Sequence, residues 1–257
     1  MDKAVLITGA GKRIGRALAL GLAADGWRVG VHYHRAQAEA ESLCAEINSK
    51  DKSKDKQKPQ AVPLQADFAD SEAVQALMPR AIDALGPLAA LINNASLFER
   101  DTPTSLTNMS WDRHLNINLR APALLMRDFA KQAQQGGNII NMIDQRIWRL
   151  TPDFTSYTVS KTGLWTLTQT FAQAFAKQNI RVNAIGPGPA LPGPRQSQAA
   201  FDKQTQLVPL GYGAKPQDIL DAVRYILNAK PMTGQMIALD GGQHLAWQTP
   251  DVIQGNE

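Results

Sequence analysis

Short apolar runs recur along the chain, each followed by a turn and a longer amphipathic stretch, and this alternation leaves few folds open. The runs are Ala4–Thr8, Trp27–Tyr33, Ala61–Leu64, Leu88–Ile92, Asn138–Met142, Ile180–Ile185 and Met236–Asp240. The first, AVLIT, reads as a strand buried on both faces. Helical patterns lie between the runs: Ile14–Asp25, Gln37–Ile47, a helix that Ser71 is expected to cap, and a long helix over Trp111–Lys131. Strands alternating with helices predict an α/β fold on a parallel, doubly wound sheet. A chain of 257 residues can hold one such domain with a large core, or two small ones. The unbroken alternation favours one. In such sheets the ligand lies beyond the carboxyl ends of the strands.

What sits at those ends is chemically specific. Gly9, Gly11 and Gly15 follow the first strand and open a helix. Backbone N–H groups at a helix start, with glycines that admit close approach, suit a pyrophosphate. The second strand ends in His32-Tyr33-His34-Arg35, where an acidic residue would hold the ribose hydroxyl of NAD. Histidine and arginine suit a 2′-phosphate instead, so the expected cofactor is NADPH. Asp67 and Phe68 follow the third strand, with Asp67 placed to accept from an adenine amino group. Asn93-Asn94-Ala95-Ser96 follow the fourth: asparagines can tie strands together, while Ala95 leaves room for a ring. Asp144 ends the fifth, and Gly186-Pro187-Gly188-Pro189 follow the sixth. Tyr157 and Lys161, four residues apart, share one face of a helix start. A lysine beside a phenol is expected to lower the tyrosine pKa. Asn118, in mid-helix, bonds a backbone group, holds a water or faces solvent.

Composition excludes several classes. The net charge of +4 is modest and partly confined to Ser49–Gln60 (SKDKSKDKQKPQ), read as a mobile surface loop. It points to no nucleic-acid partner; a site for a phosphate-bearing small molecule is reason enough. Cys44 is the only cysteine, which rules out an intrachain disulfide and fits a reducing compartment. No apolar run reaches membrane length and no signal-peptide pattern opens the chain, so a cytoplasmic protein is expected.

Thr8-Gly9-x-x-x-x-x-Gly15, Asn93-Asn94-Ala95, Tyr157-x-x-x-Lys161 and the Pro187-Gly188 pair together resemble the short-chain dehydrogenase/reductase family, in order and over essentially the whole chain. The resemblance implies a single domain on a Rossmann-type seven-stranded sheet, a nicotinamide cofactor and a homotetramer. It places Asn118, Tyr157 and Lys161 at catalytic positions. It implies cofactor contacts from Gly9, Lys12, Arg13, Ile14, Tyr33, His34, Arg35, Asp67, Phe68, Asn94, Ala95, Ser96, Lys161, Pro187 and Gly188.

Two departures from the family pattern carry information. Arg13 stands where glycine is usual, and Asp144 where serine is usual. A serine donates to a substrate carbonyl; an ionised aspartate cannot, and would repel a developing oxyanion. Asp144 suits a substrate that offers N–H groups or a ring nitrogen to protonate. Both departures resemble the pteridine reductase branch. There the residue matching Arg13 reaches the cofactor phosphates and the substrate edge, that matching Ser96 a phosphate, and that matching Phe98 stacks on the pterin. Asp144, Tyr157 and Lys161 match the catalytic set. Ala36 and Ala190 replace serines of that branch, and Gln145, Arg146 and Trp148 match no position with a role. The bacterial dihydromonapterin reductases, which also reduce dihydrofolate, share the Asp and Tyr-Lys features. The expected reaction is hydride transfer to a pterin C=N bond, with Tyr157 giving the proton and Asn118 holding a water in the relay. The alternatives are a carbonyl reductase of the same fold and a non-catalytic NADPH sensor. The tail His244-Leu245-Ala246-Trp247 is expected to reach a neighbouring subunit.

Overall fold

The computed structural model describes residues 3–51, 59–193 and 196–246. The apolar runs become β1 (Ala4–Ile7), β2 (Arg28–Tyr33), β3 (Ala61–Gln65), β4 (Ala90–Asn93), β5 (Gly137–Met142), β6 (Ile180–Pro187) and β7 (Met236–Leu239). The helices are α1 (Arg13–Ala24), α2 (Gln37–Ser49), α3 (Ser71–Leu85), α4 (Asn108–Leu115), α5 (Ala121–Gln132), α6 (Thr155–Phe175), α7 (Gln198–Gln206) and α8 (Pro216–Asn228). The strands form one seven-stranded sheet in the order β3-β2-β1-β4-β5-β6-β7, parallel throughout. Side chains alternate along each strand, so the sheet feeds two cores. Val5 and Ile7 pack with Leu18 of α1, Leu43 of α2 and Ile219 of α8. Ala4 and Leu6 pack with Leu77 of α3, Leu125 of α5 and Leu164 of α6.

The strand order reverses between β1 and β4, which opens a crevice at their carboxyl ends. Thr8 and Asn94 close its floor. The Thr8 hydroxyl accepts from the Asn94 and Ala95 backbone N–H groups, each at 2.9 Å. The Asn94 amide donates to the Thr8 and Gly9 carbonyls at 2.8 and 3.1 Å. Asn93 donates to Asn141 at 2.8 Å, and Asn141 to Thr168 at 2.9 Å, tying β4 to β5 and α6. The asparagine pair therefore does tie strands together.

Two sequence expectations change. Asp70, not Ser71, caps α3: its carboxylate accepts from the Glu72 N–H at 2.8 Å. The long helix over 111–131 is divided by a π turn at Asn116–Arg120. Pro122 has no N–H for the Asn118 carbonyl, and a widened turn accommodates that missing bond. Most of the Lys-rich stretch (residues 52–58) and Trp247 lie outside the described residues.

Close packing at the crevice demands glycine. Gly9 has φ +63°, and a Cβ there would lie 2.9 Å from the Ala95 Cα. A Cβ on Gly15 would lie 2.3 Å from the Gly9 carbonyl oxygen and 2.8 Å from the Ala10 Cα. Both obstacles are backbone, so Gly15→Ala must lift α1 from the turn. A loss of about 1–3 kcal/mol is expected from urea unfolding; a midpoint equal to that of the wild type would contradict this packing.

Candidate active site

The end of β5 and the first turn of α6 bring three side chains together. The Tyr157 hydroxyl donates to Asp144 Oδ2 at 2.8 Å. Asp144 Oδ1 accepts from the Arg146 backbone N–H, also at 2.8 Å, capping a short 3₁₀ turn at Gln145–Trp148. Lys161 Nζ donates to the Met142 carbonyl at 2.7 Å and lies 5.7 Å from the Tyr157 ring centre. Tyr157 and Lys161 are almost wholly buried.

Burial sets the electrostatics, and it reverses one expectation. The Tyr157 pKa is pushed well above 10, by burial first and then by the charge of Asp144 and the hydrogen bond to it. Lys161 does not lower it in this arrangement, because its ammonium is spent on the Met142 carbonyl while the carboxylate touches the phenol. Burial also raises Asp144 above its ordinary value, against the Arg146 N–H, the Tyr157 hydroxyl and the charges of Arg146 and Lys161. Lys161 is lowered to about 8 by burial, with Asp144 opposing. At neutral pH the phenol thus keeps its proton and points it at Asp144. The Ser96 hydroxyl is a further hydrogen-bond neighbour of the phenol.

Asn118 sits inside the π turn and is fully buried. It accepts from the Leu97 N–H at 2.7 Å, and donates to the Leu97 carbonyl at 2.9 Å and to Ser160 at 3.0 Å. It therefore pins the loop that carries Ser96 and Phe98 to α6. Of the three roles open to it, backbone bonding is the one observed. Phe98 stacks on Phe154 with centroids 4.3 Å apart and meets Tyr157 edge-on at 4.7 Å. About half of Phe98 remains exposed.

A second cluster lies at the ends of β1, β2 and β3. A cleft there is lined by Gly9, Gly11, Lys12, Tyr33, His34, Arg35, Ala36 and Glu39. It adjoins one lined by Arg13 and Arg16. Lys12 pairs with Glu39 at 2.5 Å, and His34 with Asp67 at 3.3 Å. Phe68 is buried and its ring stacks face to face on His32 at 4.3 Å. Ile14 packs against the core. Gly188 lies tight on β7, where a Cβ would come within 2.7 Å of the Asp240 Cα, and Pro187 ends β6 beside it. Arg13 has φ +55°, the left-handed conformation that explains why glycine is usual there. Its guanidinium donates to the Leu191 and Pro192 carbonyls at 3.3 and 2.6 Å, joining α1 to the loop after β6.

Other supports escaped the sequence reading. His32 accepts from the Gly9 N–H at 3.0 Å, so its other ring nitrogen donates to the Ala66 carbonyl at 3.1 Å. Burial holds its pKa down at about 4, so the ring stays neutral and fixes the glycine turn. Asp101 serves as the missing cap of α6. Its carbonyl accepts from Phe154 N–H at 2.7 Å and its carboxylate from Ser156 N–H at 3.1 Å, from the Ser156 hydroxyl and from Ser110 at 3.1 Å. His114 completes this network, accepting from Glu99 N–H at 3.2 Å and bonding the Ser110 carbonyl at 2.8 Å. Partners so far apart in sequence leave no local signal. Among the described residues no cluster of His, Cys, Asp and Glu could hold a metal ion. No helix among them is long and apolar enough to cross a membrane.

Residues 3–202 match the family model of the short chain dehydrogenases. Two solved structures, FolM alternative dihydrofolate reductase 1 from Brucella suis and from Brucella canis, each in complex with NADP, are 43% identical to the chain with a TM-score of 0.90. Each superposition covers 97% of this chain, and 98% and 97% of those chains. A 3-oxoacyl-[acyl-carrier-protein] reductase of Staphylococcus aureus is 29% identical over 251 residues, which is 95% of this chain and 99% of that protein. Family model, sheet order and strand-end residues agree, and the chain belongs to the short-chain dehydrogenase family.

Proposed function

We propose that the protein is an NADPH-dependent reductase of a C=N bond in a pterin, of the dihydrobiopterin, dihydromonapterin or dihydrofolate kind. The observation that carries this reading is the Tyr157–Asp144 hydrogen bond, in which a carboxylate occupies the place of a hydroxyl donor. A ketone needs donors around its oxygen as negative charge grows there. An anion at 2.8 Å from the phenol opposes that charge but accepts well from ring and amino N–H groups. The Brucella dihydrofolate reductases support the same reading. The 3-oxoacyl reductase relative favours carbonyl reduction, at lower identity and against Asp144.

The cleft fits the cofactor. Gly9 and Gly15 let the turn pack tightly beneath the cleft, where a Cβ would strike neighbouring backbone, and Lys12, Arg16 and Arg35 gather positive charge beside it, with His34 adjacent. His34 and Arg35 are the proposed partners of a 2′-phosphate, with Lys12 released from Glu39 as a third. Gly9, Arg13, Ile14, Asn94, Ala95, Pro187 and Gly188 would line the remainder. Bound NADPH supplies the hydride. The chain's own residues manage the proton. Tyr157, protonated at neutral pH, donates to the ring nitrogen beside the reduced carbon, directly or through water. Asp144 accepts from the substrate's N–H groups and holds the phenol in line. Lys161, held by the Met142 carbonyl beside the Tyr157 ring, is the proposed partner of the nicotinamide ribose. Phe98 offers an exposed face to a flat ring, Arg13 and Ser96 border it, and Asn118 fixes the loop that carries Phe98.

The direct test is NADPH oxidation with dihydrobiopterin, dihydromonapterin, dihydrofolate and a panel of ketones. Pterins are expected to exceed ketones in kcat/KM, and the reverse order would make the protein a carbonyl reductase. Turnover of none of them, with NADPH bound, would favour a sensor. Tyr157→Phe is expected to lose about 100-fold or more in kcat while binding NADPH nearly as well. Turnover like that of the wild type would remove Tyr157 from its role.

Lys161 gives a second test. Its folded pKa of about 8 lies below the ordinary 10.5, so the unfolded state binds more protons between those values. Stability from this group therefore rises as pH climbs from about 8 to 10.5, and its burial is destabilising below that window. Cofactor-free Lys161→Met is expected to melt a few degrees above wild type at pH 7, with the gain shrinking near pH 10.5, while turnover falls about 100-fold. A lower melting temperature at pH 7 would show that the ammonium stabilises the fold.

A further inference from the structure

Arg146 matches no position with a known role, yet two halves of the site meet at it. Its backbone N–H donates to one oxygen of Asp144, whose other oxygen takes the Tyr157 proton, both at 2.8 Å. Its guanidinium lies over the Phe154 ring at 5.0 Å from the centroid. Phe154 stacks on Phe98 with an angle of 6° between planes, and Phe98 meets the edge of Tyr157. Guanidinium, Phe154 and Phe98 thus form a column that ends beside the phenol. Nη1 donates to the Thr151 hydroxyl at 2.8 Å, and Nε is buried without a hydrogen-bond partner. Leaving a buried donor unpaired is unfavourable, so the ring contact rather than a full hydrogen-bond set holds the group where it is. Phe154 has a left-handed backbone (φ +62°), and the Asp101 carbonyl accepts its N–H at 2.7 Å, which fixes the ring from the other side.

We propose that Arg146 is a positioning residue that couples this aromatic column to the Asp144 carboxylate. Through Phe154 it holds Phe98 as a rigid wall for a planar heterocycle, and through its backbone N–H and its charge it favours the carboxylate form of Asp144, which accepts from Tyr157 and from the substrate. The groups facing Asp144 are few. Arg146 comes from its own segment and Tyr157 and Lys161 from α6, while Ser96, from the turn after β4, acts on Tyr157 rather than on Asp144. Behind Tyr157 lies His114, with rings 6.2 Å apart. Beyond the 3₁₀ turn, Trp148 packs on His244, which pairs with Asp240 at 2.7 Å. Burial drives the Asp144 proton on, and Arg146 and Lys161 supply the positive charge that opposes it. Lysine at 146 would keep the charge but lose the flat face that stacks on Phe154.

The wall half of this role rests on the pterin reading; the charge half does not, and the test separates them. The titration of Asp144 is followed by ¹³C carboxyl NMR of the full chain, with Asp144→Asn identifying the signal. Arg146→Gln is expected to move the midpoint up by about one pH unit, and Arg146→Lys to keep it near wild type. In steady-state assays the KM for a dihydropterin is expected to rise about tenfold in both variants, with kcat less affected in Arg146→Lys. The acid limb of kcat/KM should move up in Arg146→Gln alone. NADPH binding by fluorescence should be unchanged in each, which confirms the fold. An unmoved Asp144 midpoint in Arg146→Gln overturns the proposal, as does a KM within twofold of wild type in both variants. If Arg146→Gln fails to fold, Arg146→Lys decides: a raised KM with an unmoved Asp144 midpoint supports the coupling, and an unchanged KM overturns it. Should the wild type reduce no pterin, the substrate reading fails while the NMR titration still decides the charge half.

Discussion

The hydrogen bond from Tyr157 to Asp144 is the contact on which the rest of the site depends. It joins the end of β5 to the first turn of α6, and places a carboxylate against the phenol. Burial keeps the tyrosine protonated, raises the aspartate and lowers the lysine, and the charge of Asp144 acts on both of the others. A set like this needs rigid backing, since a misplaced buried charge is costly. The backing comes from groups that touch no reacting atom. Asp101 caps α6 from a distant loop, Asn118 fixes Leu97, and Met142 offers its carbonyl to Lys161.

The parallel sheet explains why these groups converge. Each strand ends at the same edge, and the order reverses between β1 and β4. The glycine turn, the basic end of β2 and the asparagine turn after β4 therefore face one crevice. Thr8 and Asn94 stitch its two halves together across the reversal. His32, held neutral by burial, secures the glycine turn from beneath. The cleft beside the glycine turn and the cluster of Asp144, Tyr157 and Lys161 are thereby set on one rigid frame.

Much of this was legible in the residues. The places of the strands along the chain followed from apolar runs and glycines, whose signals are local. Tyr157 and Lys161 followed from helical spacing, and Asp144 from its place at the end of a strand. The errors have physical causes. A helix cap one residue early at Asp70 reflects competition between adjacent cap formers. The π turn around Asn118 was signalled by Pro122, whose missing N–H breaks an otherwise regular helical pattern. The tyrosine pKa went the other way because burial and a neighbouring carboxylate outweigh a lysine whose proton is directed elsewhere. The contacts of Arg13 with loop carbonyls and of Phe68 with His32 were not foreseen, because both depend on partners far along the chain. Asp101, His114 and Phe154 left no signal, because their roles exist only once distant segments meet.

In the proposed function Asp144 is the residue that turns a fold shared with ketone reductases toward C=N reduction. The most direct test replaces Asp144 by serine and compares kcat/KM for a dihydropterin with that for a 3-oxoacyl ester. Serine restores a hydroxyl donor and removes the negative charge beside the phenol. The predicted result is a fall of at least about 100-fold in the pterin-to-ketone ratio, with NADPH affinity unchanged. A ratio that stays the same in Asp144→Ser, or a wild-type enzyme that already prefers the ketone, would contradict the claim.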